Sequence, residues 1–518
     1  MNHLLFKSIL IVILSFIYGC GGGSTSEGST ASTITPILSG NGSLIISGTI
    51  SYQRIQPNNN FIGLNTNNIT TEKAKGVVVA AIDSSGSTIA SSTTDSSGNY
   101  SLTGIPASNL LKIRVYARII KSSGWDVKVV DNSNSDAQYV LEGSFASTGT
   151  TNSTRDLTAL SSNTSSAPFA ILDSIYQAMQ KILTADSNVE FPTLKVNWST
   201  SNITTNSFYT NSAITLQGDQ NGDSDEYDHH IIIHEWGHYF EDKFSRADSI
   251  GGNHSSGNHL DIRVAFGEGF GNAFSAIVTD DPIYFDSYGS SNGWSMNIET
   301  ATKNTPGFFS EASIQRVLYD LYDSNNDSGD TLSLGFTPLY NIFVGEQKTT
   351  SAFTSIFSFI TALKSANSSS STQIDSIVNN EDISTITDIY GSNRVDSVDI
   401  ALNSDILPLY NSLDIGNTLN RCTVTTYGVT NKLGNNKYVR FTVASAGSYT
   451  ITLNQTNGSL AVPDFQLFKV GTKTAILQAE NASRTNVSRT TTLATGDYLL
   501  NIRDNAARSR SCFDISIN

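Results

Sequence analysis

Between Asp225 and Phe244 the chain reads DEYDHHIIIHEWGHYFEDKF, and within it His234, Glu235 and His238 stand in the spacing H-E-x-x-H. On a helix, residues four apart share a face. His234 and His238 can therefore bring two imidazoles to one metal ion. Glu235 beside them can reach a water held at an open position of that metal. Neutral imidazoles with an open fourth position suit Zn2+ and hydrolysis. The chain has 7 His and 13 Glu, so chance gives roughly 0.002 matches to this pattern.

A zinc site needs a third protein ligand. The metzincin pattern is excluded, because the positions it needs as Gly and His hold Glu241 and Phe244. Thirty residues beyond His238, the segment DIRVAFGEGFGNAFSAIV places Glu268 among apolar residues. A buried carboxylate is costly unless it is paired or on a metal. Asn272 lies four residues further on the same helical face, where it can hydrogen-bond the outer nitrogen of a ligating His. His254, His259 and Asp261, in the loop GGNHSSGNHLD, are rival third ligands. His229 and His230 stand at the start of the motif helix.

Several elements must position these groups. Ile231, Ile232, Ile233, Trp236, Tyr239 and Phe240 give the motif helix an apolar body, while Gly237 weakens it by about 1 kcal/mol relative to Ala. SAITL, residues 212–216, is a short strand just upstream and a candidate to line the cleft. APFAILDSIYQAMQKIL has apolar residues at helical spacing, so helical structure begins at Ala167. Residues 43–146 (LIISGTISY, GVVVAAID, LLKIRVYARII) read as β, as do residues 413–518 (KYVRFTVASAGSYTITL, PDFQLFKVG, TGDYLLNIRD). The Ser/Thr/Asn-rich stretch 147–166 reads as a linker.

H-E-W-G-H followed by G-E-G-F-G-N resembles the gluzincin arrangement of thermolysin-like and fungalysin-like metallopeptidases. That resemblance implies zinc ligands His234, His238 and Glu268, with Glu235 as general base and Asn272 supporting a ligand. Asn272 stands where those families carry Asp, so the supported His loses a charged partner. Thermolysin-like enzymes also use a later His on the oxyanion, and no His follows His259 here. Arg316, Tyr319 and Tyr322 are the candidate replacements. The TTDSSGNYSL stretch resembles the carboxypeptidase-regulatory-like β-sandwich, and the C-terminal strands resemble the pre-peptidase C-terminal domain.

The first twenty residues, MNHLLFKSILIVILSFIYGC, have the layout of a secretion signal. Their ending resembles a bacterial lipobox, which implies cleavage before Cys20 and lipidation of its thiol. Gly21 after that Cys leans toward the outer membrane. No later run approaches the ~20 apolar residues of a spanning helix. Cys422 and Cys512 remain, and export to an oxidising compartment makes them a disulfide. Two acidic stretches resemble calcium loops: Asp219, Asn221, Asp223 and Asp225, and a second running from Asp323 to Asp330.

Of 518 residues, 31 are Lys or Arg and 46 Asp or Glu, a net charge of −15 that argues against nucleic-acid binding. The organisation expected is a signal peptide (1–19), a lipidated Cys and tether (20–42), a β-sandwich (43–146), a linker (147–166), a zinc metallopeptidase domain (167–412) and a second β-sandwich (413–518). The fold class is a mixed α+β unit, mainly helical around the zinc site, flanked by two all-β sandwiches. The function read from this is an exported, lipid-anchored zinc endopeptidase acting on polypeptides. No short acidic motif that would hold a substrate's free amine precedes the zinc helix, which disfavours an aminopeptidase. The alternative is a surface adhesin or structural lipoprotein whose metal site is non-catalytic.

Overall fold

The computed structural model describes residues 37–121, 124–203, 206–301, 303–325, 330–393, 405–458, 461–480 and 485–518. The signal segment, Cys20 and Asp327 to Gly329 of the second acidic stretch lie outside them. Among the described residues the fold mixes helices with several β-sheets, and no helix is long and apolar enough to cross a membrane.

The β region begins with Leu44–Pro57, whose burial alternates as a strand with one covered face requires. It pairs antiparallel with Leu64–Lys73 and Asn99–Ile105. The facing sheet has Val77–Asp83 at its middle, a nearly continuous buried run between Thr88–Thr93 and Leu110–Ile120. That sheet does not stop at residue 146. Asp126–Asp131 pairs with Leu110–Ile120 on one edge and, in parallel, with Leu194–Asn197 on the other. The sheet then continues through Ala213–Thr215 to Phe208–Thr210.

The crossover between the parallel strands carries α1 (Ala167–Ala185), with Pro at its first turn and Phe169, Ile171, Leu172, Ile175, Met179 and Ile182 buried. One core therefore runs from Leu44 through the helices. Residues 147–166, read from composition as a linker, are built in. Ser153–Thr154 and Leu157–Ala159 pair in parallel with Leu44–Pro57. The Arg155 guanidinium donates to the carbonyls of Leu111, Ala146 and Ser147. Polar composition concealed this, because the contacts that order the segment are backbone pairs.

The helical part places α2 (His229–Phe244) against α3 (Ile262–Thr279), with α4 (Glu311–Asp320) packed on α3. Small residues set these crossings. A Cβ on Gly237 would lie 3.4 Å from the Gly271 Cα, and one on Gly269 would lie 2.5 Å from Ile314. Trp236, Phe240, Phe270, Phe274 and Phe343 fill the space behind.

Beyond residue 405 two sheets, of five and four strands, enclose a separate core that includes Val439, Leu453, Phe465, Leu500 and Ile515. Cys422 and Cys512 face each other on antiparallel Thr418–Thr423 and Ser511–Ile517 and form a disulfide.

Candidate metal centre

His234 and His238 project from α2 toward Glu268 on α3. His234 Nε2 lies 3.1 Å from His238 Nε2 and 3.3 Å from Glu268 Oε2, and His238 Nε2 is 3.3 Å from the same oxygen. These three residues form a group able to hold a metal. The rings have room because α3 carries Gly271, where a Cβ would stand 2.8 Å from the His234 ring. On its outer side His234 Nδ1 meets Asn272 Oδ1 at 2.8 Å. Asn272 Nδ2 donates to Gln315 Oε1 on α4 at 3.0 Å, which leaves the amide oxygen to accept. His234 therefore donates from Nδ1 and turns a lone pair at Nε2 into the cluster.

Charge favours a cation here as well. Burial opposes a charge on His238, but Glu268, Glu241 and Glu235 outweigh it and raise its pKa well above the ordinary range. Burial likewise opposes ionisation of Glu268, and the neighbouring histidines hold it well below the usual carboxylate range. Two imidazoles and a carboxylate oxygen converging in a carboxylate-rich site match the donors zinc takes.

Glu241, 3.6 Å from His238 Nδ1 and buried, was not among the candidates read from sequence, though its i+3 spacing signals it. Glu311 was also missed. His254 donates from Nδ1 to Glu311 Oε2 at 2.7 Å, and its Nε2 is 3.2 Å from Glu268 Oε2. Burial lowers the pKa of His254, yet the bond to Glu311 and the charge of Glu268 raise it to about 9. Nothing local in the sequence links Glu311 to His254 across 57 positions.

The other rivals lie elsewhere. His259 stacks between Phe309 and Tyr427, at 4.4 and 4.1 Å. Asp261 caps α3, pairs with Arg263 and accepts from Tyr438. His229 packs edge-on against Phe285, and His230 faces Thr279 and the Asp281 carbonyl. Arg316 pairs with buried Glu381, Tyr319 stacks near Tyr322, and Tyr322 bonds Lys181 and Asp280. None of these three lines the cavities at the centre.

Two cavities open there. One, of about 430 Å3, is lined by His234, Glu235, His254 and Glu311, with Tyr284 and Trp294 on a further wall. The other, of about 580 Å3, is lined by Tyr209, Thr210, His238, Glu241 and Glu268. Ala213–Thr215, within the SAITL candidate, is paired on both sides, so Phe208–Thr210 is the strand left with an edge.

The acidic loop departs from its expected ligand set. Asp223 and Asp225 come together with Asp286, from the strand Ile283–Tyr288. Asp219 and Asn221 stay outside, because residues 219–223 close into a turn in which the Asp219 carboxylate accepts from the Asn221 N–H. Burial and the Asp223 charge push Asp286 up to about 7, and burial with Asp286 and Asp223 raises Asp225 well above the usual range.

Residues 180–381 match the Mycolysin C-terminal domain family. The Mycolysin-like span contains α2, α3 and α4, and with them His234, Glu235, His238, Glu268 and Asn272. It gives this part of the chain a metallopeptidase-associated character. No curated protein matches the chain. Among solved structures, the pre-peptidase C-terminal domain of a collagenase from Bacillus anthracis is 14% identical, covering 21% of this chain and 94% of that one with a TM-score of 0.18. PliG from Aeromonas hydrophila, a periplasmic inhibitor of g-type lysozyme, is 15% identical, covering 21% and 97% with a TM-score of 0.15.

Proposed function

We propose that this protein is a zinc-dependent endopeptidase acting outside the cytoplasm and anchored to a bacterial membrane through lipid on Cys20. The observation that carries the reading is the convergence of His234 Nε2, His238 Nε2 and Glu268 Oε2 within 3.1 to 3.3 Å, beside a cavity lined by Glu235. The Mycolysin-like match over the same residues supports it.

Zinc, when bound, supplies Lewis acidity to a peptide carbonyl and to water. His234, His238 and Glu268 hold it, and Asn272 with Gln315 keeps the His234 ring oriented. The Glu235 carboxylate takes a proton from the attacking water and returns it to the leaving amine nitrogen. Cavities on both flanks of the centre leave space for chain on either side of the scissile bond, which suits cleavage within a polypeptide. The free edge of Phe208–Thr210 can pair with an extended substrate. Calcium, in the same reading, takes its oxygens from Asp223, Asp225 and Asp286.

Metal analysis paired with casein cleavage, on protein beginning after residue 42 and on Glu235→Gln, tests this. Stoichiometric zinc in both, with cleavage only in the unmodified protein and abolished by a chelator, is expected. Zinc without cleavage of any peptide favours the adhesin or structural reading. Absence of zinc binding sinks the ligand set.

A further inference from the structure

The loop between α2 and α3 contains GGNHSSGNH, a composition with little to order it. It is nevertheless pinned, and what pins it comes from the C-terminal β region. Asn431 Nδ2 donates to the carbonyls of Gly251 and Asn253, at 2.9 and 3.1 Å, and Lys432 Nζ donates to Asn253 at 2.6 Å. The Leu433 N–H donates to the His259 carbonyl and the Asp261 N–H to the Asn431 carbonyl, both at 2.9 Å. The His259 ring is clamped between Phe309 and Tyr427, within 10° of parallel to each. Gly252, at φ +96°, lets the loop approach: a Cβ there would stand 3.0 Å from Asn431 Nδ2.

The residue this brings to the candidate centre is His254. Its Nδ1 is committed to Glu311, whose side chain is buried in the first turn of α4. That bond fixes the ring so that Nε2 faces the centre, 3.2 Å from Glu268 Oε2, in the wall of the cavity that also holds Glu235. Carboxylate acceptors thus face both nitrogens, an arrangement that uses both as N–H donors. His254 is not part of the three-residue metal group. Arg316, Tyr319 and Tyr322 are turned away, so His254 is the imidazole donor at this wall.

We propose that His254 donates a hydrogen bond from Nε2 to the scissile carbonyl oxygen of bound substrate as negative charge grows there, and that residues 427–433 of the C-terminal β region position it. The proposal rests on the endopeptidase reading. Glu311 and Asn431 are positioning residues. They hold the ring and its loop without touching substrate.

The test uses His254→Ala, Asn431→Ala and Tyr284→Phe in the chain from residue 43 onward. Three quantities are measured: zinc affinity by chelator competition, kcat and KM on a fluorogenic peptide, and calorimetric binding of a phosphinic peptide that mimics the tetrahedral state. For His254→Ala we expect kcat to fall about 10²- to 10³-fold, KM to change little, and zinc affinity to hold. The phosphinic peptide should weaken by a similar factor. Asn431→Ala should move kcat and phosphinic-peptide affinity in the same direction by about tenfold, again with zinc retained.

A fall in zinc affinity with His254→Ala would make the residue a ligand and overturn the proposal. A rise in activity would make it a closing contact. Loss in Tyr284→Phe with none in His254→Ala would pass the role to Tyr284. If the unmodified protein holds zinc and binds the phosphinic peptide but cleaves nothing, the endopeptidase reading fails while the binding arm still decides on His254. If it binds no phosphinic peptide, both fall.

Discussion

The two β regions are similar in composition and attach in different ways. The first is joined to the helical part by backbone pairing: Leu194–Asn197 runs in register with residues 127–130 of Asp126–Asp131. The two share one hydrophobic core. The C-terminal region keeps a core of its own between two sheets. It meets the rest through a seam of side chains, among them Tyr438 donating to Asp261, Arg263 over the Phe353 and Tyr438 rings, and Lys473 paired with Asp242. A strand edge left unpaired within a sheet is costly, whereas a side-chain seam can open to water at less expense. The N-terminal β region is therefore part of the scaffold of the candidate centre, and the C-terminal one is a second folding unit resting on it.

Paired core truncations test this contrast most strongly. Leu194→Ala, at the strand junction, and Leu453→Ala, in the C-terminal core, each remove a fully buried side chain and should cost about 2–5 kcal/mol. In calorimetry the first should lower the transition that carries zinc binding, and the second should lower only the other. A single transition moved equally by both would erase the distinction. Next in size is the disulfide. Replacing Cys422 and Cys512 by Ser opens a loop of 90 residues and should cost the C-terminal transition up to ~4 kcal/mol, leaving the first unmoved.

Lys437 gives a pH signature to the seam side of the C-terminal region. It is buried, and burial pulls its pKa down to about 7 against the opposing charge of Asp405. Between pH 7 and the ordinary lysine value the unfolded chain binds the extra proton, so stability should rise with pH across that window and be lost as pH falls through 7. Lys437→Met should flatten the rise and stabilise the protein at pH 6 by an amount on the order of 2–3 kcal/mol, read from urea midpoints. The smallest effect belongs to Lys473→Ala. The Lys473 side chain is 47% exposed, and breaking its pair with Asp242 should change stability by less than ~1 kcal/mol.

What was legible in the sequence was local. His234 and His238 share a face because the helix period puts them there, and the same logic carries Asn272 from Glu268. Hydrophobic alternation revealed both β regions and the helix at Ala167. What escaped was set by packing between distant segments. Asp126–Asp131 and Leu194–Asn197 are paired across a helix, and no residue in either names the other. Asp286 completes an acidic trio from a strand sixty positions downstream of Asp225. Asp219 and Asn221 looked equivalent to Asp223 by spacing, and only a turn separated them. His254 read as one of several loop histidines, because the contacts that place it come from Glu311 and Asn431.

The close crossing of Gly237 on Gly271 governs more than packing. With no side chain between them, the helix axes approach closely enough for donors on α2 and α3 to meet within 3.1 to 3.3 Å. Bite distance at the centre is thus written into missing atoms. An alanine at either position would spread the jaws and shift preference from ions with bonds near 2.1 Å toward larger ones with bonds of about 2.4 Å. The two glycines act as a gauge of ionic radius, separate from the residues that would touch the ion.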